Sequence, residues 1–204
     1  DRSRQHLEII VEEAVRLEKI LNEVLQFSRP RIQHRARFDL VNLIRRTISV
    51  MESEIIERDI DVEVTLPESP VIIVADADQI QQVLRNLMTN ALDSMTRESS
   101  HVDLTKDEPV GTLCVSLTVE DRGVVIAVED TGVGIEDGET KQLFEPFYTT
   151  KNNGTGLGLA ICSQIVNDHD GGISVANNQW GGASFFVTLP VNEEDSNNGA
   201  NTGR

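Results

Sequence analysis

The sequence predicts an α+β fold, a two-layer sandwich in which helices cover one face of a mixed sheet. Three observations lead there. Apolar residues recur every three or four positions through 40–51 and 80–95, which marks two amphipathic helices. From Thr112 the pattern changes to strict alternation, Leu113, Val115, Leu117 and Val119 against Thr112, Cys114, Ser116 and Thr118, which marks a half-buried strand. Strand-like runs then close the chain at 173–176 and 183–189.

The elements follow in order. Leu7, Ile10, Ala14, Leu17, Leu21, Val24 and Ser28 form a heptad seam widened by Val11 and Leu25, and Pro30 ends the helix. A helix with such a stripe needs a partner helix, which no other segment of this chain supplies. The basic stretch Arg29 to Arg37 reads as a linker. Asp39 is the expected cap of a helix carrying Leu40, Leu43, Ile44, Ile48 and Met51. Ile60 to Val64 reads as a strand, Pro67 to Pro70 as a turn, and Val71 to Ala75 as a short apolar strand. Asp76 or Asp78 caps the next helix, whose core face runs from Ile80 to Met95. Residues 97–111 form a polar loop, and Asp121-Arg122-Gly123 turns the alternating strand into Val124 to Val128 as a hairpin. A Gly-rich stretch, a short acidic helix and a second Gly-rich stretch precede a helix at 159–166. The boundaries are a hairpin helix at 1–29, a linker at 30–38, a catalytic domain at 39–190 and a disordered tail at 191–204.

Composition narrows the function. The chain has 204 residues, 39% hydrophobic and 25% charged, so it can bury a core. Its 34 Asp+Glu against 18 Lys+Arg give a net charge of -16, which argues against nucleic acid or an anionic membrane surface as partner. No apolar run is long enough to span a membrane. Cys114 and Cys162 lack metal-ligand spacing and read as reduced thiols used as small core residues.

Three motifs carry chemistry. Gln79, Gln82, Asn86, Asn90, Asp93 and Arg97 share a helix face opposite the apolar one. That face is either solvated or, at Asn86 and Asn90, a pair of amide oxygens for a hard cation such as Mg²⁺. Asp130-Thr-Gly132-Val-Gly134 follows a strand, and its carboxylate can accept from an exocyclic amine such as that of adenine. Gly154-Thr155-Gly156-Leu157-Gly158 runs into a helix, where backbone amides form an anion site without net positive charge. Before it, Leu143-Phe-Glu-Pro-Phe-Tyr-Thr-Thr-Lys151 reads as a hydrophobic hinge carrying a lid with one phosphate-directed lysine.

Taken in order, these motifs resemble the sensor histidine kinases of two-component signalling, within the gyrase, chaperone, kinase and mismatch-repair ATPase superfamily. Asn86-Leu-Met-Thr-Asn90-Ala is similar to the N box and Asp130-Thr-Gly-Val-Gly to the first glycine box. Phe144-Glu-Pro-Phe147 resembles the F box and Gly154 to Leu159 the second glycine box, in wording closest to the nitrogen-regulation type. The resemblance implies a Bergerat-type ATP-binding fold with ATP and Mg²⁺ as cofactors. It implies that Asp130, with Gly132 and Gly134, reads adenine, and that Asn90 holds Mg²⁺ with Asn86 beside it. Gly154, Thr155, Gly156, Leu157 and Gly158 would cradle the phosphates with Lys151 assisting, so Asn86 and Lys151 are the catalytic candidates. Many superfamily ATPases carry Glu where Asn86 stands, so transfer to an imidazole is expected over hydrolysis.

None of His6, His34, His101 and His169 fits the family's phosphoacceptor box. The reading is therefore a catalytic fragment beginning after the first hairpin helix and unable to phosphorylate itself. This portion is expected in the cytoplasm, whether or not the full-length protein is membrane-anchored, and that protein is expected to be a homodimer joined through the hairpin helix, passing phosphate to a response-regulator receiver domain. An anti-sigma-type serine kinase and a non-catalytic nucleotide-sensing or dimerisation module are the alternatives.

Overall fold

The computed structural model describes residues 33–95, 110–136, 138–151 and 154–191, together with helical positions between His6 and Leu25. The predicted tail beyond Val191, Arg97 and His101 lie outside the described residues, as do Leu7, Ser28 and Pro30 of the heptad segment. Its described apolar positions stand in solvent, Ile10 62% and Leu17 63% exposed, so no described residue covers the seam there.

A five-stranded sheet is ordered β2 (Ile60–Thr65), β4 (Gly111–Glu120), β5 (Gly123–Asp130), β7 (Ala183–Pro190), β6 (Gly172–Asn177). The β2–β4 pair is parallel and the others antiparallel, so the sheet is mixed as expected. Leu113, Val115 and Leu117 are buried while Cys114 and Ser116 between them are half-buried, so one face is the core face. Against it pack α1 (Leu40–Glu57), α2 (Ala77–Ser94) and α3 (Gly158–Asp168). Cys162 is buried on α3 as predicted. Cys114 is not a core residue: period-two alternation puts it on the outer face, where its thiol lies 3.7 Å from Glu63 Oε2.

Two further readings are corrected. Part of the stretch taken as linker is a strand, β1 (Ala36–Asp39), which pairs antiparallel with β3 (Ile72–Ala75). Local sequence hides it, because an isolated four-residue strand gains its hydrogen bonds only from a distant partner. The short acidic helix is, among the described residues, a single 3₁₀ turn at Gln142–Phe144.

The caps explain how the helices are aimed. Asp39 Oδ1 accepts from Val41 N–H at 3.0 Å and from Val71 N–H at 3.1 Å, so one carboxylate starts α1 and ties it to the chain before β3. Asp76 caps α2 through Gln79 N–H at 3.2 Å and also receives His34 N–H at 2.9 Å. Buried His169, at the far end of α3, accepts Asp76 N–H on Nε2 at 3.0 Å and donates from Nδ1 to Ile165 O at 2.7 Å. Arg35 adds an ion pair to Asp170 at 3.2 Å, so the segment leading into β1 grips the C-terminal end of α3. These contacts fix α3, and hence the glycine loop at its other end, against the start of α2.

Candidate active site

Asp130 ends β5 at the centre of the sheet and is 2% exposed. Its Oδ1 accepts three hydrogen bonds, from Ser94 Oγ at 2.9 Å, Gly132 N–H at 2.9 Å and Ala183 N–H at 3.3 Å. Oδ2 carries no hydrogen bond from the described residues and is the acceptor left for a ligand. Burial pushes the Asp130 carboxyl above its usual range, opposed by those hydrogen bonds and by the charge of Lys151. A second loop braces it from behind. Asn178 Nδ2 donates to Asp130 O at 2.8 Å, while Asn178 Oδ1 accepts Gly182 N–H at 3.0 Å. A side chain at Gly182 would run into the Asp130 carbonyl, so the close approach requires glycine there. Asn177 clasps the other side, exchanging 2.8 Å hydrogen bonds with both backbone groups of Ile135 just past Gly134.

The polar face of α2 meets every other part of the site. Asn86 Nδ2 donates to Gly158 O at 3.2 Å, at the first residue of α3. One turn on, Asn90 Oδ1 accepts from Lys151 Nζ at 3.0 Å. Asp93 takes Lys151 Nζ on Oδ2 at 2.7 Å and Arg58 Nη1 on Oδ1 at 2.8 Å, and Ser94 reaches Asp130. Residues 86, 90, 93 and 94 lie on one edge because the helix repeats every 3.6 residues. That edge links lid, glycine loop and Asp130. Gln79 is absorbed by the cap, its Nε2 donating to Asp76 Oδ2 at 3.0 Å.

The loop into α3 turns at Gly156, whose φ of 69° is left-handed. A Cβ there would collide with the Phe147 backbone, which instead donates its N–H to Gly156 O at 3.0 Å. Leu157 at the N-cap of α3 makes no side-chain capping bond, which leaves the first-turn amides and the dipole suited to an anion. The hinge is partly as predicted: Phe144 packs on the core, whereas Phe147 is 66% exposed. Tyr148 hydrogen-bonds Glu139, which together with other nearby carboxylates pushes the phenol up to about 12.

Donor chemistry tests the fit to Mg²⁺ and ATP. Asn90 presents its amide oxygen to a cation, the Lys151 ammonium, as an oxygen ligand for a hard metal ion must. The site also offers a buried carboxylate with one oxygen open and an uncapped helix N-terminus, so the residues fit the group.

Residues 75–193, more than half of the chain, match the family described as histidine kinase-, DNA gyrase B-, and HSP90-like ATPase. The chain belongs to that family. It is 32% identical over 190 residues to the sensor histidine kinase ZraS of Escherichia coli (strain K12), covering 93% of this chain and 38% of ZraS. It therefore spans well under half the length of that relative. Among solved structures, the catalytic domain of histidine kinase ThkA superimposes with a TM-score of 0.67 at 30% identity, covering 78% of this chain and 96% of that one. ThkA in complex with the response regulator protein TrrA gives 0.73 at 29% identity, covering 93% and 52%. This is the ATP-binding domain of the sensor-kinase type.

Sequence reasoning missed Ser94, Asn178, Gly182 and Arg58. Asn178 and Gly182 sit in a Gly-containing turn that reads only as a connection, and nothing local ties Asn178 to a residue 48 positions earlier. Ser94 could have been found, since it follows Asn90 by one helical turn.

Proposed function

We propose that this domain binds Mg²⁺·ATP and delivers the γ-phosphoryl group to a histidine of a longer sensor kinase, for relay to a response-regulator aspartate. The observation that carries the reading is the edge of α2, which joins the Asp130 acceptor, the Asn90 oxygen, Lys151 and the α3 loop in one place. In this reading Asp130 Oδ2 accepts the adenine amine, with Gly132 and Gly134 shaping the approach. The amides from Gly154 to Gly158, with Thr155, Gly156 and Leu157 between them, cradle phosphate, and Lys151 supplies a point charge. Mg²⁺, held through Asn90 with Asn86 beside it, supplies charge neutralisation for the transferred group.

Asn86 gives the site no carboxylate to activate water, which favours transfer over hydrolysis. A phosphoacceptor outside these residues is supported by His169, whose two ring nitrogens are both engaged in the core. The exposed heptad seam supports a homodimer that would pair it with a second copy, and the receiver domain of a response regulator is the downstream partner. The net charge of -16 speaks against nucleic acid, and no helix among the described residues is long and apolar enough to cross a membrane. The proposed compartment of this domain is the cytoplasm, where ATP is available.

Titration calorimetry with ATP, with and without Mg²⁺, tests the site. Asn90→Ala is expected to abolish the metal-dependent part of binding. A supplied polypeptide containing a phosphoacceptor helix should gain acid-labile label from radioactive ATP. Acid-stable label on serine would replace this reading with that of a serine kinase.

A further inference from the structure

Asp93 shares the polar face of α2 but lies just beyond the Asn86 to Ala91 box, yet both of its oxygens are committed. Oδ1 accepts from Arg58 Nη1 at 2.8 Å and Oδ2 from Lys151 Nζ at 2.7 Å. Arg58 is itself tied by Nη2 to Glu54 Oε1 at 2.8 Å. The line Glu54, Arg58, Asp93, Lys151, Asn90 thus runs from the end of α1, across α2, into the lid. Burial alone would raise the Asp93 carboxyl, but the hydrogen bonds from Lys151 and Arg58 outweigh it and hold the group below its usual range.

As a source of stability, so exposed a pair has little to offer: the Lys151 side chain is 43% exposed and that of Asp93 33%. Its effect is positional. Lys151 sits on the lid and would otherwise sweep a wide volume on its flexible stem. Asp93 gives the ammonium a fixed partner one helical turn from Asn90, and Arg58 keeps the carboxylate from turning away. A cation held at Asn90 would compete with Lys151 for that amide oxygen and leave the ammonium its bond to Asp93.

We propose that Asp93, braced by Arg58, is a positioning residue that anchors Lys151 beside the phosphate site. The inference rests on the ATP-site reading above and adds a residue that acts only through Lys151. The test uses the 204-residue chain with its lysines carrying ¹³C-dimethyl labels, the Lys151 resonance being identified by its loss in Lys151→Arg. In the nucleotide-free protein, Asp93→Asn should move that resonance, Arg58→Gln should move it less in the same direction, and Asp93→Glu should restore it. By calorimetry, Asp93→Asn should weaken Mg²⁺·ATP by about two- to fivefold, the scale of a partly exposed ion pair, and leave adenosine unchanged. In a Lys151→Met background it should have no further effect. A Lys151 resonance indifferent to Asp93→Asn would overturn the anchor, as would equal weakening of adenosine and ATP or full additivity with Lys151→Met. Failure of the wild-type chain to bind ATP at all would instead remove the site reading on which the anchor's purpose depends.

Discussion

Asp130→Asn separates binding from folding. The carboxylate is buried and accepts three hydrogen bonds on Oδ1, and an amide oxygen can keep those if it takes the same place. The amide nitrogen then replaces Oδ2. A donor faces the exocyclic amine of adenine, so one charge-assisted hydrogen bond is lost and two donors confront each other. A hydrogen bond to a charged group contributes about 1.5–3 kcal/mol, which corresponds to about a 10- to 150-fold rise in Kd. Stability should move the other way or hardly at all. Burial raises this carboxyl, so the folded state bears a cost for its charge that a neutral amide removes. Calorimetry for ATP and a thermal melt of the same sample read the two effects. ATP affinity within about twofold of wild type in a variant that melts normally would refute the assignment of Asp130 as the base-reading group.

Gly156→Ala forces a Cβ into the Phe147 backbone at a left-handed φ. The conformation alone costs about 1–2 kcal/mol, so the variant should melt earlier and bind ATP more weakly than adenosine by comparison with wild type. His169→Ala strips the buried Asp76 N–H of its acceptor, an expected loss of about 1–3 kcal/mol measurable by urea unfolding. The two site carboxylates respond to acid with opposite sign. Asp93 lies below its usual value of 3.8, so its contribution to stability is complete above that value and is lost as pH falls through the folded-state value. Asp130 is raised above 3.8, so its cost is present at neutral pH and is relieved as pH falls through that raised value, where its amine acceptor is also lost. Nucleotide affinity should therefore decline on acidification before stability does, as paired calorimetry and melting series would reveal.

Much of this was legible in the residues. Hydrophobic period located α1, α2, β4 and β5, because a helix or strand with one buried face must repeat at 3.6 or 2 whatever it packs against. Asp39 and Asp76 announced their helices, since a cap is a local hydrogen bond within a few residues. Asn86, Asn90, Asp130 and the glycines stood out because glycine and asparagine are costly in regular structure and need a reason to be there.

Contacts between segments far apart in sequence were not legible. β1 exists only because β3 lies beside it, and Cys114 faces outward only because its strand's other face meets the helices. The same holds inside the site. Spacing put Asn90 and Asp93 on one side of α2, but it could not say that Lys151, 58 residues beyond Asp93, would close upon both, or that Arg58 would hold Asp93 from the other side. Local hydrogen bonding and periodicity determined which residues this protein would place on an edge. The packing of α1, α2, α3 and the lid against one another decided what that edge touches, because such contacts depend on chain segments that meet only after the core has formed.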